Sequence, residues 1–436
     1  MRADSPARVG RGARPAAAGP RVGIFGLLGQ GNLGNDGSME AVLAYLRANH
    51  SDVILDCLCT DPDLVAERYD LPAMQLRWHD TPRGPASGQA DRARRGMALG
   101  LGIAIDAVRI AAWVRGHEAV IVPGMGVLET TVPMRPWKTP YWMFLLCASG
   151  RLFGTKVALV SVGANVTGRR ITRRLITSAV RLSSYRSYRD QVSRDAMQQM
   201  KVDVSNDVIY PDVAFALPIP ADGQAEPRSV GIGIMDYSGG NDDIRQAAEL
   251  RANYIEQVTR FGRWLVDNGR PVRLFTSDTA DEPVLEEIAA EVRAHRSDRG
   301  PSWVVAEPAP TIGVLMHQIT LVETVVATRY HNVLYALLQA KPTLALGYAA
   351  KHEVLMSDAG LAGFCLPCKA LDVSQMIELF SELERRSAEL SAVIAERSRA
   401  KTLLVQRQFA EMSAALFPTE DTLAAAPRPM TARTGT

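Results

Sequence analysis

Short apolar runs alternate with longer helical patterns along this chain, and that alternation restricts the possible folds more than any other feature. The ordered part opens on Val22-Gly23-Ile24-Phe25-Gly26, which reads as a strand, followed by a glycine-rich loop and a helical pattern over 38–47. Further strand-like runs fall at 53–58, 119–122, 156–162 and 208–210, with helical patterns between several of them, notably 134–153 and 169–182. Strands that alternate with helices build a parallel sheet covered on both faces. Segment 217–227 then carries three prolines and a glycine in eleven residues. It has few backbone donors and no periodicity, so it reads as a linker. Beyond it the pattern restarts with Ser229-Val-Gly-Ile-Gly-Ile-Met235, helices over 243–267 and 284–294, and strands at 272–276, 303–306, 321–327 and 343–347. A polar-rich helical segment over 371–416 closes the chain. The expected fold class is α/β, two Rossmann-like domains facing a cleft. The first covers 21–217, a linker follows at 218–227, and the second covers 228–417. Tails at 1–20 and 418–436 are too poor in apolar bulk to order.

Composition supports two sizeable cores, with 47% hydrophobic and 22% charged residues in a chain of 436. The formal net charge is only +2, so no global field draws the chain to nucleic acid, and no nucleic-acid partner is expected. Arginines number 42 against 7 lysines, so a single arginine says little. Five cysteines, an odd count, and no signal-like apolar run in the first twenty residues point to a cytoplasmic location. Cys365-Leu-Pro-Cys368 has no second pair at metal-like spacing, and the histidines are scattered, so neither a metal nor a cofactor is expected. The most apolar stretch, 97–114, is broken by Asp106 and Arg109 and reads as an amphipathic or buried helix rather than a bilayer span.

Several segments carry chemistry. Gly29-Gln-Gly31-Asn-Leu-Gly34 is formally G-x-G-x-x-G, and Asp56 follows at the distance of a ribose-binding acid. The register argues against a dinucleotide. The glycine directly after the strand is Gly26, and Leu28 then stands where a second glycine would admit pyrophosphate. The loop still suits a polar ligand at a helix N-terminus, or a tight turn alone. Arg329-Tyr-His331 follows an apolar strand at its carboxyl end, where ligands bind in open α/β sheets. If extended, the segment projects a fixed cation and a proton-exchanging imidazole to one side, although an ion pair and a helix cap explain both residues equally. Arg189-Asp190-Gln-Val-Ser193 suits an anion clamp, or a capped helix with a local ion pair. Arg169, Arg170, Arg173, Arg174 and Arg181 line one predicted helix, a face that is either solvated or laid against anionic lipid headgroups.

Taken in order, these pieces resemble the polysaccharide pyruvyl transferase family. The resemblance rests on Gly31-Asn32-Leu-Gly34-Asn-Asp36, Pro123-Gly124-Met-Gly126, Val160-Ser-Val-Gly163, Arg189-Asp190-x-x-Ser193, Pro211-Asp212-Val-Ala-Phe215 and Arg329-Tyr-His331. Ala340-Lys-Pro342, Tyr348 and Lys351 complete it. Two departures, Gly34-Asn35 for the usual Gly-Asp and a thinner glycine run at 124–126, bear on the acceptor side more than on the donor. The resemblance implies a GT-B-like fold and transfer of a pyruvyl group from phosphoenolpyruvate to two hydroxyls of a sugar, giving a cyclic ketal. It maps Arg189 and Arg329 to the donor's anionic groups, His331 to a proton transfer and Lys351 to completion of the anion site. Gly29, Gly31, Asn32, Gly34, Asp36, Gly124 and Gly126 would face substrate. The partners expected are phosphoenolpyruvate and a sugar acceptor, lipid-linked or free, with any membrane contact peripheral. The alternatives are a GT-B enzyme using a nucleotide sugar, an NAD(P)-binding oxidoreductase, and a non-catalytic sugar binder.

Overall fold

Runs that are apolar on both faces become strands of two parallel sheets. The structure is a computed structural model that describes residues 19–77, 88–130, 136–240, 243 and 245–417; most of both expected tails lies outside them. The first sheet is built from β1 (Arg21–Gly26), α1 (Leu33–Asn49), β2 (Ile54–Cys59), α2 (Pro62–Tyr69), β3 (Ala73–Gln75), α3 (Gln89–Arg115), β4 (Ala119–Pro123), α4 (Thr139–Phe153), β5 (Lys156–Val162), α5 (Arg170–Leu182), β6 (Tyr185–Tyr188), α6 (Gln191–Gln199) and β7 (Val208–Ile209). The second uses β8 (Val230–Gly233), α7 (Ala247–Asp267), β9 (Val272–Phe275), α8 (Glu282–His295), β10 (Val304–Ala306), α9 (Ile312–Thr320), β11 (Thr324–Ala327), α10 (Tyr330–Leu338), β12 (Thr343–Gly347), α11 (Ala350–Asp358), β13 (Cys365–Pro367), α12 (Val373–Arg385) and α13 (Ser387–Leu416). Strand orders are 3-2-1-4-5-6-7 and 10-9-8-11-12-13. Each sheet therefore reverses direction once, between β1 and β4 and between β8 and β11. The crevice at such a switch point is where open α/β sheets bind ligands. Segment 217–229, which joins the sheets, carries no helix or strand.

The chain entering α1 is shaped by the other domain. Leu33 N donates to the Ser277 carbonyl at 2.8 Å, Thr279 N donates to the Gly31 carbonyl at 3.1 Å, and Asn32 Nδ2 donates to Asp278 at 3.1 Å. Gly31 has φ +82°, and a Cβ there would overlap the Thr279 hydroxyl. The glycine-rich loop thus serves close approach of two backbones. Asp56, the imitation of a ribose-binding acid, is occupied by Trp113 Nε1 at 2.8 Å, His117 Nε2 at 2.9 Å and Arg21 at 2.7 Å.

The closing helical segment forms two helices, α12 and α13, and the second returns to the first sheet. Ser398 Oγ of α13 donates to the Leu337 carbonyl at 2.7 Å, Thr402 Oγ1 to the Phe215 carbonyl at 2.8 Å, and Tyr210 donates to Glu411 at 2.5 Å. At its centre the fully buried Gln408 gives its amide to the hydroxyls of Ser161 and Ser187, each at 2.8 Å. Ser161 sits at φ +47°, where the β5–β6 register shifts. Such a bulge re-aims the chain that follows it, here toward the cleft. Gln408→Leu keeps the volume but strips both serines of a partner in the dry interior. It should cost about 2–3 kcal/mol, read as a lower denaturant midpoint with unchanged slope.

Candidate active site

The two domains meet around a cavity of about 310 Å³ lined by Asn32, Asn35, Gly126, Glu129, Arg189, Arg329, Tyr330, His331, Tyr348 and Lys351. Arg189 leaves the end of β6, and Asp190 after it caps α6 by accepting from Ser193 N at 2.7 Å. The capped-helix reading of that motif therefore holds for Asp190, while Arg189 lines the cavity. Arg329 and His331 do not lie on an extended segment. α10 begins at Tyr330, so Arg329 occupies its N-cap position and His331 its first turn.

The cations arrive already paired. Arg189, 7% exposed, is bonded to Glu129 and lies 3.7 Å from both Asp190 and Asp212, with its guanidinium 5.1 Å from the Tyr330 ring centroid. Lys351 Nζ stands 3.6 Å from the other oxygen of Glu129 and 5.4 Å from the rings of Tyr330 and Tyr348. One carboxylate therefore sits between two cations from different domains. Burial alone would raise the pKa of Glu129, but Arg189 and Lys351 outweigh it and hold the group below its ordinary value, as an anion. Arg329 gives its Nε and Nη2 to the buried Asp281 at 2.6 and 2.7 Å, and Asp278 is 3.4 Å from Nη1. This bidentate grip fixes the plane of the guanidinium at the cavity wall.

His331 lies over α1. A Cβ on Gly34 would overlap its ring, so only glycine there lets the imidazole settle. Its Nε2 is 3.9 Å from Asp212 Oδ2, and neither atom has a hydrogen-bond partner within the protein. Burial, with Arg189, Lys351 and Arg329 nearby, holds the imidazole pKa well below its ordinary value, and burial pushes Asp212 up to about 6. The imidazole is therefore neutral at physiological pH.

Of the substrate-facing residues expected from the sequence, Asn32, Gly126, Arg189, Arg329, His331 and Lys351 line this cavity, and Gly34 supports it. Asp36 does not face it. Its buried carboxylate accepts from Gly29 N at 3.1 Å and lies 3.5 Å from Arg68, because the glycine loop folds back over the first turn of α1. Gly29 is turned toward Asp61 and Val65, Gly31 toward Thr279, and Gly124 toward Ser38 and Val213, so these three shape the backbone around the site without reaching it. Glu129, Asp212 and Asp281 were not expected as site residues. Asp212 stood in a motif already noted, whereas Glu129 and Asp281 leave no local signal, since each is defined by a partner far away in sequence.

A second cavity of about 280 Å³ shares Glu129, Tyr348 and Lys351 and continues along Asn165, Ser193, Met235, Tyr237 and Gly240. The pair of cavities in the cleft of two parallel-sheet domains defines a GT-B-type protein. The same fold occurs in MnaA of S. aureus in complex with UDP (TM-score 0.58, 10% identity, 94% of this chain and 99% of that one). UDP-GlcNAc 2-epimerase from Neisseria meningitidis bound to UDP-GlcNAc (0.53, 12%, 90% and 99%) and a glycosyltransferase from Rickettsia africae (0.52, 9%, 92% and 100%) share it as well. At such identities these likenesses carry the fold alone. No curated protein matches the sequence. The family model for polysaccharide pyruvyl transferase matches residues 32–349, and the chain belongs to that family.

Gly34→Ala is compatible with α1 but displaces the His331 ring. Turnover should fall by about 10²-fold while the melting temperature stays within a few degrees, measured by steady-state kinetics beside a thermal melt.

Proposed function

We propose that the protein transfers the pyruvyl group of phosphoenolpyruvate to two hydroxyls of a sugar, with the donor in the first cavity and the acceptor in the second. The observation that carries this reading is the convergence of Arg189, Arg329 and Lys351 on one small cavity beside a neutral imidazole. Phosphoenolpyruvate presents a phosphate and a carboxylate, and guanidinium forks suit both. Glu129 occupies the place between Arg189 and Lys351 that a donor anion would take, so donor binding turns it aside. The second cavity offers Tyr237 and Tyr348 as flat apolar surfaces with Asn165 and Ser193 as polar groups, a lining suited to a sugar ring.

Protons balance within the reaction. The two hydroxyls give up two protons, the methylene carbon of the donor gains one as it becomes a methyl group, and the other leaves with phosphate. A group that begins and ends neutral is sufficient for this traffic. His331 accepts the proton of the attacking hydroxyl as C2 of the donor takes on oxocarbenium character. Arg189 and Lys351 hold the phosphate as it departs.

Phosphoenolpyruvate binding by calorimetry tests the donor. Saturable binding should be lost in Arg329→Ala and weakened at least tenfold in Lys351→Gln, whose partly exposed side chain can be changed without endangering the fold. A wild-type protein that shows no binding, alone or with acceptor, overturns the reading. A folded His331→Ala variant that turns over would remove that residue from the mechanism. Because burial depresses the imidazole pKa, the neutral form persists through pH 7 and is lost only on acidification. The acid limb of kcat/KM should therefore fall below the ordinary histidine value of about 6.5. A limb at or above that value, measured with a fixed acceptor, contradicts the assignment.

A further inference from the structure

α3 is built inside out. Its two inner charges, Asp106 and Arg109, point into the protein, where Trp142 Nε1 donates to Asp106 at 3.2 Å and Arg109 donates to the Gln75 carbonyl at 2.8 Å. Its solvent face from Met97 to Ala112 carries no charge. Met97 is 71% exposed, Leu101 63% and Val108 70%, with Ala104 and Ala112 between and beyond them at helical spacing. Among the described residues this is the one helix long and apolar enough to cross a membrane, yet it lies along α4, with Tyr141 donating to the Ile103 carbonyl at 3.1 Å. The apolar stripe runs about 22 Å. At its C-terminal end it meets exposed Leu152 and Phe153 of α4, the Phe153 ring lying 5.9 Å from Arg115. The first thirteen residues of α3 include none that is fully buried.

Helices α3, α4 and α5 cover the same face of the first sheet, as right-handed crossovers from β3 to β6 require. Together they hold ten arginines and two aspartates, a net charge of +8 in a chain whose total is +2. The rest of the protein is therefore net −6. An uncharged apolar stripe bordered by arginines is the surface that an interfacial helix presents to anionic lipid. A second copy of the chain would bring +8 against +8, and a nucleic acid would gain nothing from the Met97–Leu101–Val108 stripe.

We propose that this face docks on an anionic bilayer, with α3 lying in the headgroup layer. Each of the three helices begins at the carboxyl edge of the sheet, the edge that faces the cleft, so docking brings the cleft to the membrane surface. The inference does not depend on the pyruvyl reading, because it is tested without turnover.

The test is co-sedimentation of the full-length protein with vesicles of phosphatidylglycerol and phosphatidylcholine, against phosphatidylcholine alone, at low and moderate salt. The wild type should partition at least about tenfold more strongly to the anionic vesicles, with salt weakening it. Met97→Glu/Leu101→Glu/Val108→Glu should lower partitioning at least about tenfold at an unchanged melting temperature. Arg92→Gln/Arg170→Gln/Arg174→Gln should remove the preference for anionic lipid. A wild type that stays in the supernatant at low salt, or a glutamate variant that sediments equally, overturns the proposal. So does a wild-type dimer by light scattering that the glutamate variant converts to monomer while neither binds vesicles.

Discussion

Cations cannot share a small cavity with buried walls unless acids are placed among them, and this requirement governs how the two domains meet. An uncompensated buried charge costs several kcal/mol, enough to cancel much of a domain's stability. Here Glu129 of the first domain stands between Arg189 and Lys351, Asp281 pins Arg329, and Asp212 of the first domain faces His331 of the second. Two of the contacts that satisfy these groups cross the cleft, Glu129 with Lys351 and Arg189 with the Tyr330 ring, and Asp212 stands 3.9 Å from His331 across it. Closing the cleft and balancing its charge are thus one event. An anionic ligand that displaces Glu129 changes both at once.

The backbone around the site follows from the same economy of space. Gly34 is bare because an imidazole lies against it, and Gly31 because Thr279 does. The loop that imitates a dinucleotide fingerprint is a device for bringing two chains close together. Asp36 and Asn32 then hold it, one to Gly29 within the domain and one to Asp278 across the cleft.

Much of this was legible in the sequence. The β/α alternation gives both sheets, and 156–162 and 343–347 are strands with the bounds expected, because their runs are apolar on both faces. Arg189, Arg329 and His331 stood out as polar residues where strands end. What was not legible depends on distance and direction. α10 starts earlier than its apolar pattern suggests, since its first turn carries Tyr330 and His331 and looks polar. Glu129 and Asp281 become site residues only by partners 60 and 48 positions away. For α3 the periodicity is the same whether its stripe faces in or out, and only the anchoring of Asp106 and Arg109 decides it. The return of the last helix to the first sheet was not legible for a related reason. α13 has polar residues all along it, and Gln408 is buried by sites in another domain rather than by any pattern of its own.

That last helix has a consequence for the order of events during synthesis. Ser161 and Gln408 are 247 residues apart. At about 5–20 residues per second, roughly 10 to 50 s separate their appearance on the ribosome. Through that interval the left-handed serine at the bulge, and the chain leading from it to the cleft, lack the amide that holds them. The first domain emerges first and is finished last, so a ribosome that stops short of α13 releases a protein whose two sheets are present and whose active site is not yet set.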